Sequence, residues 1–168
     1  RLTRDQVRAY TEKFDGINAH LLGIFAKDTG KLIGIRANYI DWQNREYLIN
    51  VLVGESEARH KGARNETRTV VHRYFFEELG MVAARCTVLA TNAFMLKAVE
   101  RSGYIHQSTS RKPAADGNGT VELHHFRLPR EIWKKKLDEE GDQGNWSQSK
   151  ISDNDISSAR QRKEEILL

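Results

Sequence analysis

The feature that most constrains this chain is the segment Arg59-His60-Lys61-Gly62-Ala63-Arg64-Asn65-Glu66, a short basic turn between two runs of different periodicity. Before it, Tyr47-Leu48-Ile49-Asn50-Val51-Leu52-Val53 reads as a strand. After it, Val70, Val71, Tyr74, Phe75 and Leu79 form one stripe at helical spacing, so the pattern predicts a helix over 65–79. A strand, a turn of exposed backbone N–H groups and a helix start make an anion site. The first helical turn leaves donors unpaired, and the helix dipole favours negative charge there. A phosphate group is the natural guest.

Length and composition set the bounds. At 168 residues, one domain with an appendage is the default. The single cysteine, Cys86, excludes an internal disulfide framework and a Cys-rich metal site. No stretch has the shape of a signal peptide or the length of an apolar membrane span, so a cytoplasmic protein is expected. The start at Arg1 suggests that an N-terminus is missing. Residues 137–168 hold eight acids against four bases, so the overall +4 hides a body of +8 and a tail of −4. A basic body suits a polyanionic ligand, though a solvated charged surface explains it equally well.

Thr3 and Gln6 form a capping box, with Leu2 and Val7 as a hydrophobic staple, ahead of a helix over roughly 4–14 that Asp15-Gly16 ends. Residues 20–26 and 31–37 flank Asp28-Thr29-Gly30 and predict a β-hairpin. The strand before the basic turn runs near 46–53, and Gly80 ends the helix that follows. Residues 82–89 predict another strand. A second helix starts near Asn92, turns Phe94, Met95, Ala98 and Val99 inward, and stops before Gly103. Strands over 104–110 and 120–128 enclose the turn-rich stretch 111–119. A polar linker over 138–153 and a short helix over about 152–167 complete the chain. The expected fold class is α/β or α+β, a sheet with helices on both faces. The expected domains are 1–136 and an appendage, 137–168.

Three features in this order resemble the GCN5-related N-acetyltransferase (GNAT) superfamily, and within it the Rim-type branch that includes ribosomal-protein-alanine acetyltransferases. The hairpin Asp28-Thr29-Gly30-Lys31-Leu32-Ile33-Gly34 is similar to the family's second and third strands. Arg59-x-x-Gly62-x-x-x-Glu66 resembles its pyrophosphate loop, and Asn92 through Glu100-Arg101-Ser102-Gly103-Tyr104 resembles its last helix. The resemblance covers roughly residues 2–135. It implies a central, mostly antiparallel twisted sheet whose first strand and helix are missing from this sequence. Two departures stand out. Arg64 takes a position usually held by Gly or Ala, and Val99 takes that of a Tyr that can protonate the leaving thiolate.

The resemblance implies acetyl transfer from acetyl-CoA to a primary amine: a small-molecule amine, an amino sugar or a protein N-terminus. It places a backbone donor for the thioester carbonyl at Val53, with Leu52 beside it along the pantetheine arm. It gives Arg59, His60, Lys61, Gly62, Ala63 and Arg64 to the pyrophosphate and lets Asn92 contact the cofactor, a residue that serves equally as an N-cap. An α-amine of pKa ~8 is about one-tenth neutral at pH 7, whereas a lysine amine of ~10.4 is neutral about once in 2,500 molecules. A site without a strong base therefore favours α-amines. Glu46, with Asp41 near it, is the candidate general base, and an exposed acid paired with Arg45 is the plainer alternative.

The remaining candidates are structural. Tyr104 reads as core and Cys86 as a small buried hydrophobe. His124 and His125 are adjacent on a strand and face opposite ways, so no metal is assigned. A catalytically silent GNAT-like module that binds CoA or a partner is the alternative function. Binding to nucleic acid ranks last, because most aromatic residues fall on core positions. No membrane association is expected. The tail could dock on the body or form a homodimer contact.

Overall fold

The computed structural model describes residues 3–54, 63–115 and 117–140, with the backbone alone at 63–66 and 140. The tail helix expected near 152–167, the linker beyond Glu140 and the Leu2 half of the staple lie outside these residues. The chain divides into two compact units, with the division between Met81 and Val82.

The first unit opens with helix α1, Arg4–Thr11. Its capping box is made as expected: Thr3 Oγ1 accepts from Gln6 N at 3.2 Å, and Gln6 Oε1 accepts from Thr3 N at 2.9 Å. Asp15 Oδ1 then accepts from the backbone N–H groups of Ile17, Asn18 and Ala19 at 2.7–3.0 Å, which turns the chain into strand β1, Ala19–Phe25. β1 pairs antiparallel with β2, Leu32–Asp41, and β2 with β3, Glu46–Val53. Gly30, at φ 64°, takes the left-handed position of the first hairpin turn.

Register sorts the side chains. Alternation puts Gly34, Arg36 and Asn38 on one face of β2, opposite Val53, Val51 and Ile49, and all three are buried. Helix α2, Ala63–Arg73, packs on that face: Arg36 Nη1 donates to Thr67 Oγ1 at 3.1 Å. The other face meets α1 and its C-terminal turn through the rings of Tyr10, Phe14 and Tyr39. Helices thus lie against both faces of this sheet, as the sequence predicts.

The predicted helix over 65–79 is two elements. α2 begins two residues early and passes at Tyr74 into a π-helical segment, Tyr74–Glu78, whose widened turn is closed by Leu79 N to Tyr74 O at 3.0 Å. Tyr74, Phe75 and Phe76 are consequently all buried, where an α-helix steps 100° per residue and would turn one of three aside. Tyr47 stacks on Phe75 at 4.2 Å, and both are fully buried. Burial of a Phe ring stabilises by roughly 1.5–3 kcal/mol, which offsets the poorer geometry of the wide turn. Gly80, at φ 68°, ends the segment as expected.

The second unit holds strand β4, Ala83–Leu89, helix α3, Ala93–Arg101, strands β5, Ile105–Pro113, and β6, Thr120–Pro129, and helix α4, Arg130–Glu140. Its strands are antiparallel in the order β4-β6-β5. β5 is exposed throughout, and it carries Lys112, Pro113 and a bulge near Gln107, features that guard a sheet edge. Two expectations need correction. Phe94 is 76% exposed, because five residues of helix separate it from buried Val99 by about 140° of rotation. Helix α4 was not anticipated: it runs to Glu140, into the linker expected over 138–153, and its Trp133 is buried at 6%. Pro129 ahead of the helix and the spacing of Trp133 and Leu137 were its signals.

Candidate functional site

The candidate site starts at the end of β3. Gly54 N donates to Ile33 O at 2.9 Å, so alternate residues of β3 turn their backbone polar groups toward β2. Leu52, opposite Ile35, is one of these, and its side chain is 61% exposed. Val53, opposite Gly34, stands between them, and its N–H and C=O are directed away from β2. The two strands come unusually close here. A Cβ on Gly34 would stand 2.5 Å from Leu52 O and 3.2 Å from Val53 Cα, so glycine is required for the strand end to hold its position.

Ten residues beyond Val53, Ala63 and Arg64 form the first turn of α2. The N–H groups of any such turn lack an intrahelical acceptor, and the dipole makes the position attractive to an anion. Arg59, His60, Lys61 and Gly62 lie outside the described residues, and of Ala63 and Arg64 the backbone alone is described.

Glu46 and Val53 are not brought together. They stand at opposite ends of β3, seven residues and roughly 23 Å apart at the rise of a strand. The Glu46 carboxylate therefore stands a full strand length from Val53. Glu46 is in register with Asp41, whose carboxylate accepts from Asn44 N at 3.0 Å and Asn44 Nδ2 at 2.8 Å. Arg45, at φ 54°, sends its guanidinium to Gly80 O at 2.6 Å and 3.2 Å. These residues build the β2–β3 turn.

In the second unit Asn92 is the N-cap of α3, its Oδ1 accepting from Met95 N at 3.1 Å. Val99 is buried at 6%, and its apolar side chain has no proton to give. Tyr104 is core at 8% exposed, as expected, while Cys86 is partly exposed.

Sequence reasoning missed the polar cluster beneath α2. Arg36, Asn38 and His72 are all at or below 2% exposed. Tyr47 Oη lies 2.5 Å from His72 Nδ1. Burial pushes the His72 imidazole well below its ordinary range, and the positive charges of Arg36 and Arg68 push the same way. Tyr47 and His72 hold one another through this buried hydrogen bond. The available signal was two polar residues, Arg36 and Asn38, on one parity of an otherwise apolar strand.

No family model and no curated protein sequence matches the chain. Solved structures do. A variant form of the spermidine/spermine N-acetyltransferase SpeG from Vibrio cholerae superposes with a TM-score of 0.70 at 13% identity, over 80% of this chain and 81% of that one. A protein named a probable acetyltransferase superposes with a TM-score of 0.62 at 22% identity, over 77% of this chain and 68% of that one. The chain has the fold of these acetyltransferases, the GNAT fold.

Proposed function

We propose that the chain is an N-acetyltransferase that moves an acetyl group from acetyl-CoA to a primary amine. The observation that carries this reading is the strand end at Gly34, Leu52 and Val53, followed ten residues later by the helix start at Ala63. It supports a ligand with an extended arm along β3 and a phosphate at the start of α2. The acetyltransferase fold of the structural neighbours supports the same reaction.

In this reading Val53 N–H donates to the thioester carbonyl oxygen and stabilises the charge that develops there. Leu52 flanks the arm. The backbone of Arg59, His60, Lys61, Gly62, Ala63 and Arg64 holds the pyrophosphate, with Arg59 and Lys61 adding charge. Asn92 keeps its capping role, and a contact of Asn92 with the cofactor is what the family resemblance implies. A neutral amine attacks the carbonyl carbon, the C–S bond breaks as the C–N bond forms, and the proton lost from the attacking nitrogen passes through solvent to the leaving thiolate, giving the amide and the CoA thiol. Glu46 has no part in this step, given its distance from Val53. With no general base assigned, the acceptor is an amine that is appreciably neutral near pH 7: a protein N-terminus of the kind Rim-type enzymes take, or an amino sugar. SpeG is by name a spermidine and spermine acetyltransferase, so polyamines belong in the acceptor panel. The setting is the cytoplasm.

Calorimetric titration with acetyl-CoA, followed by a thiol-release assay on α-amino peptides, amino sugars and polyamines, tests the proposal. Micromolar binding with amine-dependent thiol release is expected. Binding without release on any acceptor would instead mark a silent CoA-binding module, and absence of binding would refute both readings.

A further inference from the structure

Three side chains of the second unit meet at one point on the exposed edge. His106 Nε2, His124 Nδ1 and Thr109 Oγ1 form a nearly equilateral triangle, with separations of 3.3, 3.1 and 3.2 Å. We propose that His106 and His124, with Thr109, bind one divalent transition-metal ion of the imidazole-preferring class, such as Zn²⁺ or Ni²⁺.

The β-bulge creates the meeting. Thr109 pairs with His124 and Ser108 with His125, so an unbroken ladder would place His106 opposite Arg127 and turn it to the far face. The register shift between His106 and Ser108 moves His106 opposite Phe126 instead, onto the same face as His124. The rings of His106 and His124 then lie 5.3 Å apart, with Phe126 5.4 Å from His106. His124 and His125 do face opposite ways: His125 contacts Thr87 Oγ1 at 3.1 Å and Ser110 Oγ at 2.6 Å. Each finds its own partners.

The spacing suits a metal. Two nitrogens bound to a tetrahedral zinc at about 2.0–2.1 Å stand roughly 3.3 Å from one another. The second layer suits it too. Glu122 Oε1 lies 3.8 Å from His124 Nε2, the ring nitrogen away from the triangle, and Arg111 fixes that carboxylate with two donors at 3.1 Å to Oε2. At that distance the carboxylate makes no hydrogen bond to the ring, and its negative charge beside His124 favours a bound cation. No three His, Cys, Asp or Glu side chains converge among the described residues, so two imidazoles and one hydroxyl supply the protein ligands. Water would complete the shell on the open side.

Titration calorimetry of Zn²⁺ into the full chain, in a non-chelating buffer, tests the site. One equivalent should bind. His106→Gln and His124→Gln should each weaken binding at least tenfold, Glu122→Gln less so, and His125→Gln by less than twofold. Zinc should shift the imidazole NMR signals of His106 and His124 but not those of His125, a readout that also reports whether each variant is folded. Absence of binding, or a site that survives with full affinity in both His106→Gln and His124→Gln, would overturn the assignment.

Discussion

The phenolic oxygen of Tyr47 lies 2.5 Å from Nδ1 of His72, and both side chains are shut off from solvent. β3 and α2, the two elements on either side of the proposed phosphate turn, are thereby joined by a buried hydrogen bond. Tyr47→Phe removes one partner of this buried hydrogen bond, which costs about 1–3 kcal/mol. Urea unfolding of the variant should show a lower midpoint with an unchanged slope. An unchanged midpoint would mean that the bond contributes nothing.

The same pair sets a pH dependence. The folded-state pKa of His72 lies below its unfolded value of 6.5. The unfolded state therefore binds the extra proton first, and stability falls as pH drops below 6.5 toward the folded value. His20 adds in the same direction: burial lowers its pKa, with the Asp15 carboxylate and a backbone hydrogen bond at Ile17 opposing. Urea midpoints at pH 7.5, 6.5 and 5.5 should decline, and the decline should flatten in His72→Phe.

Asp15 acts in a lower window. Burial, the largest single influence, raises its carboxyl, but the hydrogen bonds from Ile17, Ala19 and Asn18 together outweigh it and bring the value from 3.8 to about 2. Its contribution is complete above 3.8 and is lost as pH falls through about 2. In Asp15→Asn the loss of stability between pH 4 and pH 2 should shrink, while the slope between 7.5 and 5.5 stays as in the parent chain.

Gly34→Ala tests the strand end directly. The new Cβ would meet backbone atoms of Leu52 and Val53, which have little room to move apart. Overpacking of this kind costs roughly 1–3 kcal/mol. Because Val53 is the proposed donor, kcat should fall by more than KM for the amine rises. Full activity in a stably folded Gly34→Ala would remove Val53 from the mechanism.

Asn92→Ala removes the side-chain cap of α3 and should cost about 0.5–2 kcal/mol in thermal or urea unfolding. Asn92→Asp keeps a capping oxygen and should recover most of that loss. If Asp recovers stability but not affinity for acetyl-CoA, Asn92 has the second role proposed for it.

Much of this protein was legible in its sequence because the signals were local. The capping box at Thr3 and Gln6, the hairpin about Gly30, strand β3 and the cap at Asn92 each depend on residues within a few positions of one another. Their backbone preferences act before any long-range contact forms. The order of these elements was enough to identify the fold. Other features depend on which residue stands opposite which, and one step of register changes the answer. The bulge that turns His106 toward His124 has no local signature, nor does the burial of Arg36, Asn38 and His72 between β2 and α2. The π-helical turn that buries Phe76 follows from packing against Tyr47 and its neighbours, which outweighs the α-helical period. Tertiary contacts decided these points because side-chain partners across strands and beneath helices are set by register and burial, and neither is encoded in any single window of sequence.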